Sequence, residues 1–101
     1  MNWLYSRALG EVAMNKVDEL FGDVAAEVLR AEKKFSNWPE SPYVALCVLG
    51  EEYGELQKAV LHVTEKGADV EDVRSEAVQV AAMAMRFLLG LDEYVYNEDG
   101  Q

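Results

Sequence analysis

A chain of 101 residues, half of them hydrophobic, is one domain's worth; 19 acidic against 9 basic residues give it a net charge of −10. That field repels nucleic acid and anionic membranes, and a polyanionic substrate too unless divalent cations intervene. One cysteine excludes an internal disulfide, one histidine excludes a Cys/His metal site, and no apolar run of about 18 residues is present to span a bilayer.

Residues 1–10 read as an N-terminal segment, with a short helix over Asn2–Leu9 stopped by Gly10. No basic region followed by an apolar stretch opens the chain, so no signal peptide is expected, and a reducing cytoplasm is the default setting. Glu11–Phe35 reads as a long helix, because Val17, Leu20, Val24, Val28, Ala31 and Phe35 recur every three or four residues. Ser36–Pro42 breaks that pattern with two prolines. Ser41 before Pro42 starts a second helix, which runs to Lys66 and stops at Gly67. Asp69 caps a third helix that runs to about Leu91, with Glu71 and Asp72 set favourably in its first turn.

The turn from Lys66 to Ala68 is so short that the second and third helices must be antiparallel neighbours. In the acidic tail, 92–101, Tyr94, Val95 and Tyr96 are expected to pack down and the last residues to fray. The expected fold is all-α: one domain over 1–101, an antiparallel bundle of three long helices completed by oligomerisation. Helix three is apolar nearly all round, which requires burial on both sides. A second subunit supplies the other side, in a symmetric dimer or a tetramer; packing of the first helix there is the monomeric alternative.

On helix two, Leu49, Tyr53, Leu56, Val60 and Val63 form the expected core stripe at about 100° per residue. Glu52 falls at its edge, Glu55 lies one turn along, and Glu51 points further out. On helix three the stripe is Val73, Ala77, Val80, Ala84, Phe87 and Leu91, with Glu76, Gln79, Met83 and Arg86 along its edge. Like charges at i and i+3 are costly without a partner, and so is a lone acid in an apolar helix. Together, Glu52, Glu55 and Glu76 supply oxygen ligands suited to Mg²⁺, which keeps open positions for phosphate oxygens and water. The competing reading is a solvated helix in which Glu51 or Glu55 pairs with Lys58.

Several other residues have two readings. Trp38 either stacks on a base or packs against a helix end. Lys58 and Arg86 either meet phosphates or serve as ion-pair partners, Lys58 at the surface and Arg86 to the acids beside it. Cys47 is expected to be a buried core thiol, His62 to be exposed, and Gly54 to face away from the core. Gly-x-x-x-x-Gly-Lys-Ser/Thr is absent, which excludes P-loop chemistry, and no Glu-x-x-His motif supports a di-iron bundle.

The string Glu51-Glu52-Tyr53-Gly54-Glu55-Leu56, followed by Glu76-Ala77-Val78-Gln79, resembles the EExxE…ExxD signature of the MazG-like, all-α nucleoside triphosphate pyrophosphohydrolases. The likeness spans Trp38 to Leu91; residues 1–30 share only helical character. It implies Mg²⁺-dependent cleavage between the α- and β-phosphates of a nucleoside triphosphate, giving monophosphate and pyrophosphate in nucleotide house-cleaning. Mn²⁺ is a possible substitute, and a dimer or tetramer is implied. Carried over, Glu52, Glu55 and Glu76 are metal ligands, and Glu51 is a further ligand or the base that activates water. Lys33, Lys34, Asn37 and Trp38 resemble the family's loop that receives base and sugar.

The family's aspartate is Gln79 here. An amide oxygen ligates Mg²⁺ without adding charge, so metal affinity or turnover is reduced. A nucleotide or metal binder without turnover is therefore the main alternative. A helical oligomer that binds a protein partner is the third reading.

Overall fold

The computed structural model describes residues 7–96, with side chains from residue 15 onward. Three helices, α1 (Arg7–Lys34), α2 (Pro42–Lys66) and α3 (Val70–Leu89), are followed by a single 3₁₀ turn, Leu91–Glu93. The all-α expectation holds, and among the described residues no helix is long and apolar enough to cross a membrane.

Both ends of α2 follow from local chemistry. The Ser41 hydroxyl accepts from the Val44 amide at 3.3 Å, and Pro42 opens the first turn. At the other end Gly67 adopts φ 66°, and the Gly67 and Ala68 amides donate to the carbonyls of Val63 and His62. A side chain at that φ is strained, so Gly67→Ala is expected to cost about 1 kcal/mol, read as a lower urea midpoint at unchanged slope. Asp69 caps α3 by accepting from the Glu71 amide at 2.9 Å.

Three boundaries differ from expectation. Gly10 does not stop a helix, because α1 runs through it from Arg7. One internal glycine costs only about 1 kcal/mol, which a long helix tolerates; residues 2–6 of the expected first helix lie outside the described residues. The third helix ends at Leu89, since Gly90 sits at φ −92°, ψ 5° and turns the chain into the 3₁₀ segment. In the tail only Tyr94 packs down, at 7 % exposure, whereas Val95 and Tyr96 remain exposed; residues 97–101 lie outside the described set.

The helix α3 packs against both α1 and α2, whose backbones do not approach each other closely; side chains of both gather around Ala82 and Met83. So α1 takes the side of α3 that a second subunit was expected to cover. This also resets the helical phases. On α3 the buried residues are Ala82, Met83 and Arg86, whereas Ala77 and Leu91 of the expected stripe are exposed. On α2 the buried residues are Ala45 and Ala59, while Tyr53 and Val60 of the expected stripe are exposed. Small alanines let the helices approach, and the bulkier residues turn outward.

Cys47 is exposed rather than buried, because it projects from the side of α2 opposite Ala45. His62 is half-buried rather than exposed, and Gly54 is exposed as expected. The core is small: Val28, Ala31, Ala82 and Met83, flanked by Val24, Trp38, Val48 and Leu49.

Candidate metal and phosphate site

The rotated phases carry the expected edge residues inward. Glu52 is half-buried on α2, on the same side as Ala45, Val48, Leu56 and Ala59. On α3, Glu76 and Gln79 are half-buried and Arg86 is 6 % exposed. Polar side chains therefore run along the seam where a core pattern calls for apolar ones. Such violations concentrate at functional sites.

The acids form the electrostatic centre. Burial raises the Glu52 carboxyl above its ordinary range, and the charges of Glu76, Glu55, Glu27 and Glu51 raise it further. Glu76 keeps one carboxylate oxygen, Oε2, buried without a hydrogen-bond partner. A buried acceptor left in that state costs free energy, and it awaits a donor or a cation. Among the described residues no three acidic side chains converge closely enough to enclose an ion. The donor set itself, carboxylate oxygens with one amide nearby, is the chemistry that suits Mg²⁺.

The candidate residues fall into two neighbouring groups. Glu51, Glu52, Gln79, Lys34, Asn37, Trp38 and Arg86 line one cavity of about 480 Å³. Glu55, Glu76 and Lys58 line a separate, shallower recess of about 220 Å³. Lys58 and Arg86 therefore do not share a cavity. Neither Glu51 nor Glu55 pairs with Lys58, and Arg86 pairs with no acid; the ion pairs among the described residues are Glu27–Arg30 and Asp23–Arg74.

Trp38 and Arg86 brace one wall. The Trp38 indole N–H donates to the Tyr94 hydroxyl at 2.7 Å, and that hydroxyl donates to the Phe87 carbonyl at 3.0 Å. Arg86 lays its guanidinium over the Trp38 ring at 4.6 Å and donates to the Phe35 carbonyl at 2.8 Å. The packing reading of Trp38 is thus observed, and one of its faces is already occupied by a cation. Tyr94→Phe removes the acceptor for the indole and the donor to Phe87. A loss of about 1–3 kcal/mol is expected, measured by urea unfolding.

Comparison with family models, with curated proteins and with solved structures returned no match for this chain. The site is accordingly read on its own chemistry.

Two residues that sequence reasoning passed over belong to it. Glu27 and Arg30 of α1 line the larger cavity, joined by an Arg30 Nε–H bond to Glu27 Oε1 at 2.9 Å. That bond holds the Glu27 carboxyl below its usual range, despite an opposing contribution from burial. Their i, i+3 spacing is the one sign of a pair that the sequence carries. Only the packing of α1 on α3 shows that the pair sits at the cavity.

Proposed function

We propose that this protein is a Mg²⁺-dependent nucleoside triphosphate pyrophosphohydrolase of the MazG-like, all-α kind. The observation that carries the reading is Glu52, half-buried in the negative field of four glutamates, with the unpartnered Oε2 of Glu76 among that group. A cluster held at such electrostatic cost is relieved by a divalent cation. The cavity next to it carries Arg30, Lys34 and Arg86, cations that suit a phosphate chain.

In this reading Glu52, Glu55 and Glu76 hold the ion, and Gln79 adds a neutral oxygen. Bound there, Mg²⁺ offsets the charge of the phosphates and polarises the phosphorus–oxygen bonds. Glu51 stands on the cavity side of the cluster and is exposed, so it is placed to take a proton from water. Lys34 and Arg86 orient the phosphate chain, and Asn37 with Trp38 receives the base and sugar. Lys58 serves the recess beside Glu55 and Glu76.

Binding without turnover is favoured over hydrolysis by one feature: Gln79 stands where the resembled signature has a charged ligand, so one negative charge is missing. Product analysis separates the two. Incubation with deoxy- and ribonucleoside triphosphates and Mg²⁺ or Mn²⁺ is expected to yield monophosphate and pyrophosphate. Diphosphate and orthophosphate would exclude the proposed bond, and stabilisation by nucleotide without product would establish the binder.

A homodimer or homotetramer belongs to the same proposal. The outer face of α2 presents Tyr43, Leu46, Tyr53 and Leu61, and the α1–α3 cleft presents Phe21, Leu29 and Leu89, all more than half exposed. Large apolar side chains grouped on exposed faces mark association surfaces. A cytoplasmic setting fits as well, because the exposed Cys47 stays a free thiol in a reducing compartment.

A further inference from the structure

We propose that α1 completes the site: Arg30 binds a phosphate of the substrate, and Glu27 is the carboxylate that holds Arg30 in place until the phosphate displaces it. The inference rests on the phosphohydrolase reading above and adds to it a helix outside the Glu-Glu-x-Gly-Glu-Leu motif.

Three observations carry it. Arg30 and Glu27 both line the cavity that Glu51 and Glu52 line. In a chain with only 9 Lys and Arg residues against 19 acids, Arg30, Lys34 and Arg86 gather at this one cavity. The ion pair is also asymmetric: the Glu27 side chain is tucked in at 16 % exposure, while that of Arg30 stands out at 54 %. The acid is fixed, and the guanidinium is presented to solvent at the mouth.

The exchange follows from hydrogen-bond geometry. Two Arg30 nitrogens, Nε and one terminal nitrogen, donate to the two oxygens of Glu27. A phosphate offers the same fork with more charge, so it competes well for those donors. Its arrival frees Glu27, which already lies close enough to add to the negative field at Glu52. An ordinary exposed i, i+3 pair has no such consequence, since it contributes little beyond local helix stability.

Opposite responses of the two partners test this. The probe is inorganic tripolyphosphate with Mg²⁺, which carries the phosphate chain without a base, titrated calorimetrically into the whole protein. Arg30→Gln is expected to weaken its binding by about tenfold, and to raise KM for a nucleoside triphosphate more than it lowers kcat. Glu27→Gln, which releases Arg30 from its internal partner, is expected to bind tripolyphosphate at least as tightly as the wild type. Melting curves establish that both variants fold.

Equal weakening in both variants, or no change in Arg30→Gln, overturns the inference. If the wild type still releases pyrophosphate in that case, the hydrolase reading survives without it. A wild type that neither binds the probe nor turns over nucleotide overturns both.

Discussion

Replacing Glu52 with glutamine is expected to lower pyrophosphate release by about 100-fold or more while raising the melting temperature of the metal-free protein. The two effects share one cause. Burial, together with the charges of Glu76, Glu55, Glu27 and Glu51, holds the Glu52 carboxyl above its ordinary range. The folded state therefore binds this proton more tightly than the unfolded state does. Stability from this group is fully present below pH 4.5 and is lost as pH rises through the raised folded pKa.

At neutral pH the charge is a liability to the fold, and an uncharged isostere removes it. A gain of roughly 2–5 °C is the expected size, since about 1 kcal/mol moves a domain of this length by about 4–8 °C. The variant's stability should also vary less with pH across that window. Activity runs the other way, because the ionised carboxylate is what holds the cation. A proton on that carboxylate competes with the cation, so Mg²⁺ affinity should fall as the pH is lowered. A variant that is both less stable and fully active would mark Glu52 as a structural residue with no role in chemistry.

Arg86→Ala is expected to be the most destabilising single change, at about 2–4 kcal/mol, or on the order of 10–20 °C in melting temperature. Arg86 is 6 % exposed, and its guanidinium ties the end of α1 to the loop before α2 by donating to the Phe35 carbonyl and covering the Trp38 ring. Truncation leaves a half-buried carbonyl without its donor, a ring without its cation and a void beside Met83. Arg86→Lys restores the charge but not the planar fork, so it should recover less than half of the loss. A shift in melting temperature below about 2 °C for Arg86→Ala would contradict the arrangement.

Legibility differed from one element to the next. Both ends of α2 could be read from sequence, because Ser41-Pro42 and Gly67 act through their own backbones. The phase of α3 could not. A helix apolar nearly all round has no distinctive stripe, and its inward sides were decided by contact with both α1 and α2. On α2 the inward positions were filled by Ala45 and Ala59, whose small side chains give a weak hydrophobic signal next to Tyr53 and Val60. The acids Glu52, Glu55 and Glu76 stood out because they interrupt apolar surface. Glu27 and Arg30 did not stand out, since on an amphipathic surface helix such a pair is ordinary. The brace from Trp38 to Tyr94 links residues 56 apart in the chain, beyond the reach of any local pattern.

The central claim is that the glutamate seam between α2 and α3 holds a divalent cation. Calorimetric titration of Mg²⁺ into the nucleotide-free protein at pH 7, with Glu52→Gln and Glu76→Gln alongside, tests it most directly. Saturable binding by the wild type that either substitution weakens by about tenfold or more is the predicted result. Wild-type protein that takes up no Mg²⁺, or variants that bind it equally well, would contradict the account.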